Sequence, residues 1–128
     1  MEKLTQKLLD YLSDKPNYEK FSILHNEMGY DFNFIKELYP EYLKTFEDLK
    51  FKKHPNQWMV GAVQATLDFD NGHFVSVVGG GNGLYGDGVN TFEVGFPVLG
   101  NSIDVRGWLN PEEVSIMMFE IQMKNPYE

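Results

Sequence analysis

The hydrophobic period of this chain changes once, at Pro55, and that switch restricts the folds open to it. Before Pro55 apolar residues recur every three or four positions; beyond it they alternate, and glycines and β-branched residues become frequent. A chain with this order of signals builds helices first and a sheet second. "LTQKLLDYL" puts Leu4, Leu8, Leu9 and Leu12 on one face of a helix over about residues 2 to 13, and Asp14-Lys15-Pro16-Asn17 breaks it. Asn17 is suited to cap a second helix carrying Tyr18, Phe21, Leu24 and Met28, with Gly29 as its left-handed stop. Asp31 is suited to cap a third, through Ile35, Leu38 and Tyr39. Pro40 then kinks this helix or opens a fourth, "PEYLKTFEDLKF".

In the second part "WMVGAVQATLDF" and "HFVSVV" flank Asp70-Asn71-Gly72, and an Asn-Gly pair between alternating segments is a strong hairpin signal. "TFEVGF" predicts a third strand, with Phe92, Val94 and Phe96 on one face and Thr91 and Glu93 on the other. After Pro97 and an "LGN" turn, "SIDVRGW" predicts a fourth, in which Ile103 and Val105 oppose Asp104 and Arg106. Asn110-Pro111-Glu112-Glu113 combines a capping side chain, a proline at the first helical position and two acids in the positive first turn. It opens a helix over 111 to 124 that offers Val114, Met117, Met118 and Ile121 to the sheet. The expected architecture is α+β: one domain, 1-128, with a helical part (1-53) followed by a four-stranded antiparallel meander and closing helix (54-128).

"VVGGGNGLYGDG", residues 77 to 88, contains Gly81-Asn82-Gly83-Leu84-Tyr85-Gly86, the G-x-G-x-x-G spacing of phosphate-binding loops. Such a loop works because a helix follows it and aims its free amides at the phosphate. Here a strand follows, and no Lys-Ser or Lys-Thr pair comes after the glycines, so no nucleotide or other cofactor is expected. The segment reads instead as an inter-strand connection of about twelve residues, long for a hairpin. It presents Leu84, Tyr85 and Asp87 either to a partner or back onto the sheet.

Other chemistry finds little support. With no cysteine, thiol catalysis and disulfides are excluded. His25, His54 and His73 have no metal-ligand spacing. Asp68-Phe69-Asp70-Asn71-Gly72 starts like a calcium loop but lacks the later glutamate, so no metal is expected either, although Asp68 and Asp87 could meet a cation across the sheet. No serine lies in a nucleophile elbow, and the chain is expected not to be an enzyme. "MEKLTQKLLDYLSD" is not a secretory signal, and no stretch approaches the ~20 apolar residues of a membrane span, so a cytoplasmic location and no membrane partner are expected.

The net charge of −8 is distributed unevenly. Residues 1 to 53 hold ten acids against nine bases; residues 54 to 128 hold nine acids against only Arg106 and Lys124. Such a field repels nucleic acid and attracts basic protein surfaces. Leu24, Met28, Gly29, Tyr30, Ile35 and Leu38 do match the apolar and glycine positions of a helix-turn-helix, with Lys44, Lys50, Lys52, Lys53 and His54 as a basic cluster nearby. The would-be recognition helix, however, carries Asp31, Asn33, Lys36 and Glu37 and so has no net positive charge.

At "SVVGGGNGLYGDGVNTFEVGF" followed by "VRGWLNPEEV", about residues 74 to 118, the chain resembles small uncharacterised accessory proteins of phages that infect Gram-positive bacteria. The resemblance implies a context, in which short acidic non-enzymatic proteins block host defences, including CRISPR nucleases, sometimes by imitating DNA. It brings no catalytic residues, and it implies the host cytoplasm as the location. Together with the charge it leads to the expectation of an acidic protein-binding module that inhibits a host nucleic-acid-binding defence protein. Asp68, Asp70, Asp87, Glu93, Asp104, Glu112 and Glu113 would face basic residues, while Leu84 and Tyr85 would anchor the contact. Two alternatives stay open: a DNA-binding regulator using the helix-turn-helix-like part, and a ligand- or metal-binding protein using the loop 79-88.

Overall fold

A computed structural model describes residues 2-56, 58-81, 83-98 and 102-126, and of residues 2-5 the backbone alone. The expected "LGN" turn, Asn82 of the glycine motif and the side chain of Leu4 lie outside the described residues. The order of elements is α1 (Glu2–Leu12), α2 (Asn17–Ser22), α3 (Phe32–Leu38), β1 (Lys52–Lys53), β2 (Val63–Asp68), β3 (Phe74–Gly79), β4 (Phe92–Val98), β5 (Ser102–Leu109) and α4 (Pro111–Gln122). The strands form one antiparallel meander, β1-β2-β3-β4-β5. The sheet therefore has five strands rather than four. The extra one, the lysine pair of β1, belongs to the segment expected to be helical and pairs with Gln64 and Val63 of β2.

Among the described residues no helix is long and apolar enough to cross a membrane.

Register explains which residues turn inward. Val77 is opposite Val94, Phe96 opposite Asp104 and Phe92 opposite Leu109. The inner face thus carries Ala65, Val75, Val77, Phe92, Val94 and Phe96, packed on Val114, Met118 and Ile121 of α4. Each of these side chains larger than alanine, taken fully out of water, contributes roughly 1.5–3 kcal/mol. The expected apolar face of α4 is present, but the helix has a second one. Phe119 points away from the sheet into a cluster with Leu12, Phe21, Leu24, Ile35, Tyr39 and Leu43, its ring 5.1 Å from that of His25 and 5.5 Å from that of Phe32. One helix thereby joins sheet and N-terminal part into a single layered core.

The N-terminal caps are divided between confirmation and correction. Asp31 Oδ1 accepts from the Phe34 amide at 2.9 Å and starts α3 as expected. Gly29 ends the preceding helix at φ +78. Pro16, however, is the N-cap of α2, and the Asn17 side chain instead donates to Asp70 at 2.6 Å. Residues Ile23–Glu27 wind as a π-helical turn, which rotates Met28 out of the apolar stripe to an exposed position.

The expected fourth helix is replaced by a turn over residues 40 to 42, whose Tyr42 amide and the following Leu43 amide donate to the Tyr39 carbonyl, and a 3₁₀ turn, Phe46–Asp48. Side chains of α4 claim its backbone: Gln122 accepts from the Lys44 amide (2.9 Å) and donates to the Lys44 carbonyl (2.8 Å), and Ser115 Oγ accepts from the Phe46 amide (2.9 Å). Tertiary hydrogen bonds here override a helical sequence pattern.

Candidate functional site

The glycine-rich connection, residues 80 to 91, follows β3 and runs into β4, so the helix a phosphate loop requires is absent. The amides of residues 87 to 91 are also occupied. Asp87 Oδ1 accepts from the backbone amides of Val89 (2.8 Å), Asn90 (2.7 Å) and Thr91 (2.9 Å), and the Asp87 amide donates to Thr91 Oγ1. These bonds, the Thr91 amide first, hold the Asp87 carboxyl down at a pKa of about 2. The loop does cradle an anion, and that anion is its own side chain.

Further bonds fold the loop back upon itself and onto the sheet. The Gly80 amide donates to the Gly86 carbonyl at 3.0 Å, and a Cβ on Gly86 would lie 2.6 Å from the Phe92 Cα. Tyr85 rests on β5: a Cβ on Gly107 would stand 2.3 Å from the Tyr85 Cβ. The Tyr85 amide donates to Glu93 at 3.2 Å, and its carbonyl accepts from the Trp108 amide at 2.7 Å. This last bond sits at a bulge, where Gly107 and Trp108 together oppose Glu93.

Trp108 adopts φ +58, among the described residues the only non-glycine with positive φ. A bulky residue held there is strained by about 1–2 kcal/mol. The loop folds back onto the sheet without burying its aromatic side chain. Its backbone packs back onto the sheet, yet Tyr85 remains 57% exposed beside Trp108 at 61%, with Ile103 (56%) and Val105 (44%) along β5. Val105 lies opposite Gly95 and Ile103 opposite Pro97, on the face turned away from α4.

The expected contact residues do not form one patch. Tyr85, Asp87 and Glu93 come together, while Leu84 is half-buried near Gly81. Asp104 opposes inward-facing Phe96, and its Oδ1 accepts from the Val105 amide at 2.9 Å. Asp70 is held by Asn17 at the far end of the β2-β3 hairpin. Asp68 is also at that end, opposite Phe74, whereas the glycine loop begins at the end where Val63 meets Gly79. Asp68 and Asp87 therefore cannot share a cation. Glu113 completes a capping box with Asn110, each side chain bonding the other's amide (3.1 and 2.8 Å). Glu112 instead borders a hollow of about 280 Å³ with His25, Asp31, Phe32 and Phe119.

The structure also locates the remaining candidates. His25 Nδ1 is 2.9 Å from the Tyr30 carbonyl, His54 Nδ1 accepts from the Asn56 amide, and buried His73 donates to the Asn125 carbonyl. Among the described residues no three metal-binding side chains gather. Lys36, the one cation on the helix that would read DNA, is spent on the Pro40 and Leu43 carbonyls (2.8 and 2.9 Å). The basic cluster divides: Lys50, Lys52 and Lys53 border one hollow with Gln64 and Thr66, while Lys44 borders another with Asp68 and Asp70.

Sequence reasoning missed Gly107, Trp108, Ile103 and Val105 as part of a surface. The glycine in "VRGWL" was the available signal, since a glycine inside a strand pattern marks a bulge or a close backbone approach. No protein-family model, curated protein or solved structure matches the chain.

Proposed function

We propose that this is a non-enzymatic protein-binding module whose contact surface is the outer face of β4 and β5 with the loop between β3 and β4. The observation that carries the reading is Trp108. A large aromatic is kept in a strained backbone conformation with most of its surface exposed, beside a second exposed aromatic, Tyr85, on a loop ordered by internal hydrogen bonds. Exposed aromatics on a preorganised backbone bind at low entropic cost, and such residues dominate interface energetics. The negative field of the chain favours a partner with a basic surface.

The partner class we propose is a host nucleic-acid-binding defence protein, a CRISPR nuclease being the example, with the protein acting as a phage-encoded inhibitor in the host cytoplasm. The test is binding to a panel of purified CRISPR nucleases by interferometry at low and high salt. Expected are an association rate that falls with salt and a loss of affinity of about tenfold or more for Tyr85→Ala or Trp108→Ala. Binding that neither substitution weakens would refute the surface, and no binding to any nuclease would refute the partner class.

A further inference from the structure

The two edges of the sheet are built differently. β1 is two lysines long and runs into His54 and Pro55, and short, charged, proline-terminated edges resist pairing. β5 is eight residues long with exposed Ile103, Val105 and Trp108. Its outward backbone is marked by Val105, whose amide bonds the Asp104 carboxylate beside it. That amide is therefore not in the ladder with β4 but points to the open edge.

We propose that β5 pairs antiparallel with β5 of a second copy of this chain, about a two-fold axis at Val105, joining two sheets into one. Charge selects this register. Centring the axis on Asp104 would set carboxylate against carboxylate, and centring it on Arg106 would set guanidinium against guanidinium. Centring it on Val105 puts Asp104 of each copy opposite Arg106 of the other, so that two ion pairs form by symmetry. The same register makes Val105 face Val105 as a hydrogen-bonded pair, which is what its outward amide requires.

The Asp104 carboxylate, which covers that amide in the single chain and lies 3.8 Å from its own Arg106, is free to turn to the arginine across the axis. On the outer face Val105 packs on Val105, and Ile103 falls opposite Gly107 of the second copy, at the position where Tyr85 lies. The bulge at Gly107 and Trp108 ends the regular stretch. One strand edge is a small interface, so a weak, concentration-dependent association is expected. The inference does not rest on the partner proposed above, although both use exposed residues of β5.

Sedimentation velocity of the full chain, from about 10 µM to about 1 mM, reads the mass directly. Expected is a rise from 14.8 kDa toward twice that value. Asp104→Arg and Arg106→Asp, each folded by circular dichroism, remain monomeric alone because each sets like charges against one another. An equimolar mixture of the two restores the dimer, and so does the double exchange within one chain. A wild type that stays monomeric throughout, or a dimer indifferent to the single substitutions, would overturn the proposal. So would single variants whose mixture fails to associate.

Discussion

Gly107→Ala tests how the loop is seated, because a single methyl group meets it head on. The new Cβ would stand 2.3 Å from the Tyr85 Cβ and 3.1 Å from the Tyr85 carbonyl oxygen, against an ordinary carbon-carbon contact of ~3.5–4.0 Å. Tyr85 must therefore withdraw by more than about 1 Å. The movement stretches the Trp108–Tyr85 backbone bond of 2.7 Å and the Tyr85–Glu93 bond of 3.2 Å. At about 0.5–1.5 kcal/mol each, the two bonds put the cost at about 1–3 kcal/mol. For a chain of this size that lowers Tm by roughly 5–10 °C.

Thermal and denaturant unfolding measure the cost, and Tyr85→Gly supplies the control. With the opposing Cβ removed, the alanine has room, so in that background its cost falls below about 1 kcal/mol. Were Gly107→Ala to cost less than about 0.5 kcal/mol, or the same in both backgrounds, the loop would not rest on the bulge as described.

Asn71 and Asp87 offer two further tests. Asn71 is 2% exposed and binds the Ile121 and Lys124 carbonyls (2.9 and 3.0 Å) and the His73 amide (3.1 Å). Asn71→Ala should therefore cost about 2–3 kcal/mol in urea unfolding, and a loss under about 1 kcal/mol would show that this turn does not secure the end of α4. Asp87 ionises at about pH 2 in the folded chain, below the ~3.9 of an unfolded aspartate. Its ordering effect is thus complete above about pH 4 and is lost as pH falls through about 2. The amide resonances of Val89, Asn90 and Thr91 should titrate together near pH 2, and a midpoint near 4 would contradict the cap.

The elements that could be read from the sequence are those whose signals are local. Asp31, Gly29 and the Asn110–Glu113 box act within four residues of themselves, and each does in the structure what its position predicts. The hairpin at Asp70-Asn71-Gly72 was legible for the same reason, but its use was not. An Asn in such a turn reads as an exposed conformational choice, whereas here Asn71 is buried against the end of α4. The segment 40-51 misled because its helical spacing of Leu43, Phe46 and Leu49 serves packing without a helix. Leu49 joins the sheet core and Leu43 the helical one, held by Gln122 and Ser115 from far along the chain. β1 carries no periodicity at all, being two residues long, and exists because β2 offers it a register.

The acidic residues have local partners that their sequence positions do not reveal. Of the carboxylates expected to face cations, Asp87, Glu93, Asp104 and Glu113 each accept backbone amides. A capped carboxylate keeps its full charge while its lone pairs are committed. The consequence differs with distance. Long-range steering depends on charge alone, so the field of the chain acts on a basic partner whether or not its acids are capped. Short-range pairing needs free oxygen atoms in register, and residues scattered over both faces and both ends of the sheet supply few in one place. Under the proposed function, contact specificity would then come from Tyr85, Trp108, Ile103 and Val105, which are exposed. For the partner proposed above, acidity would then govern how fast it arrives, and the aromatic and β-branched surface how long it stays.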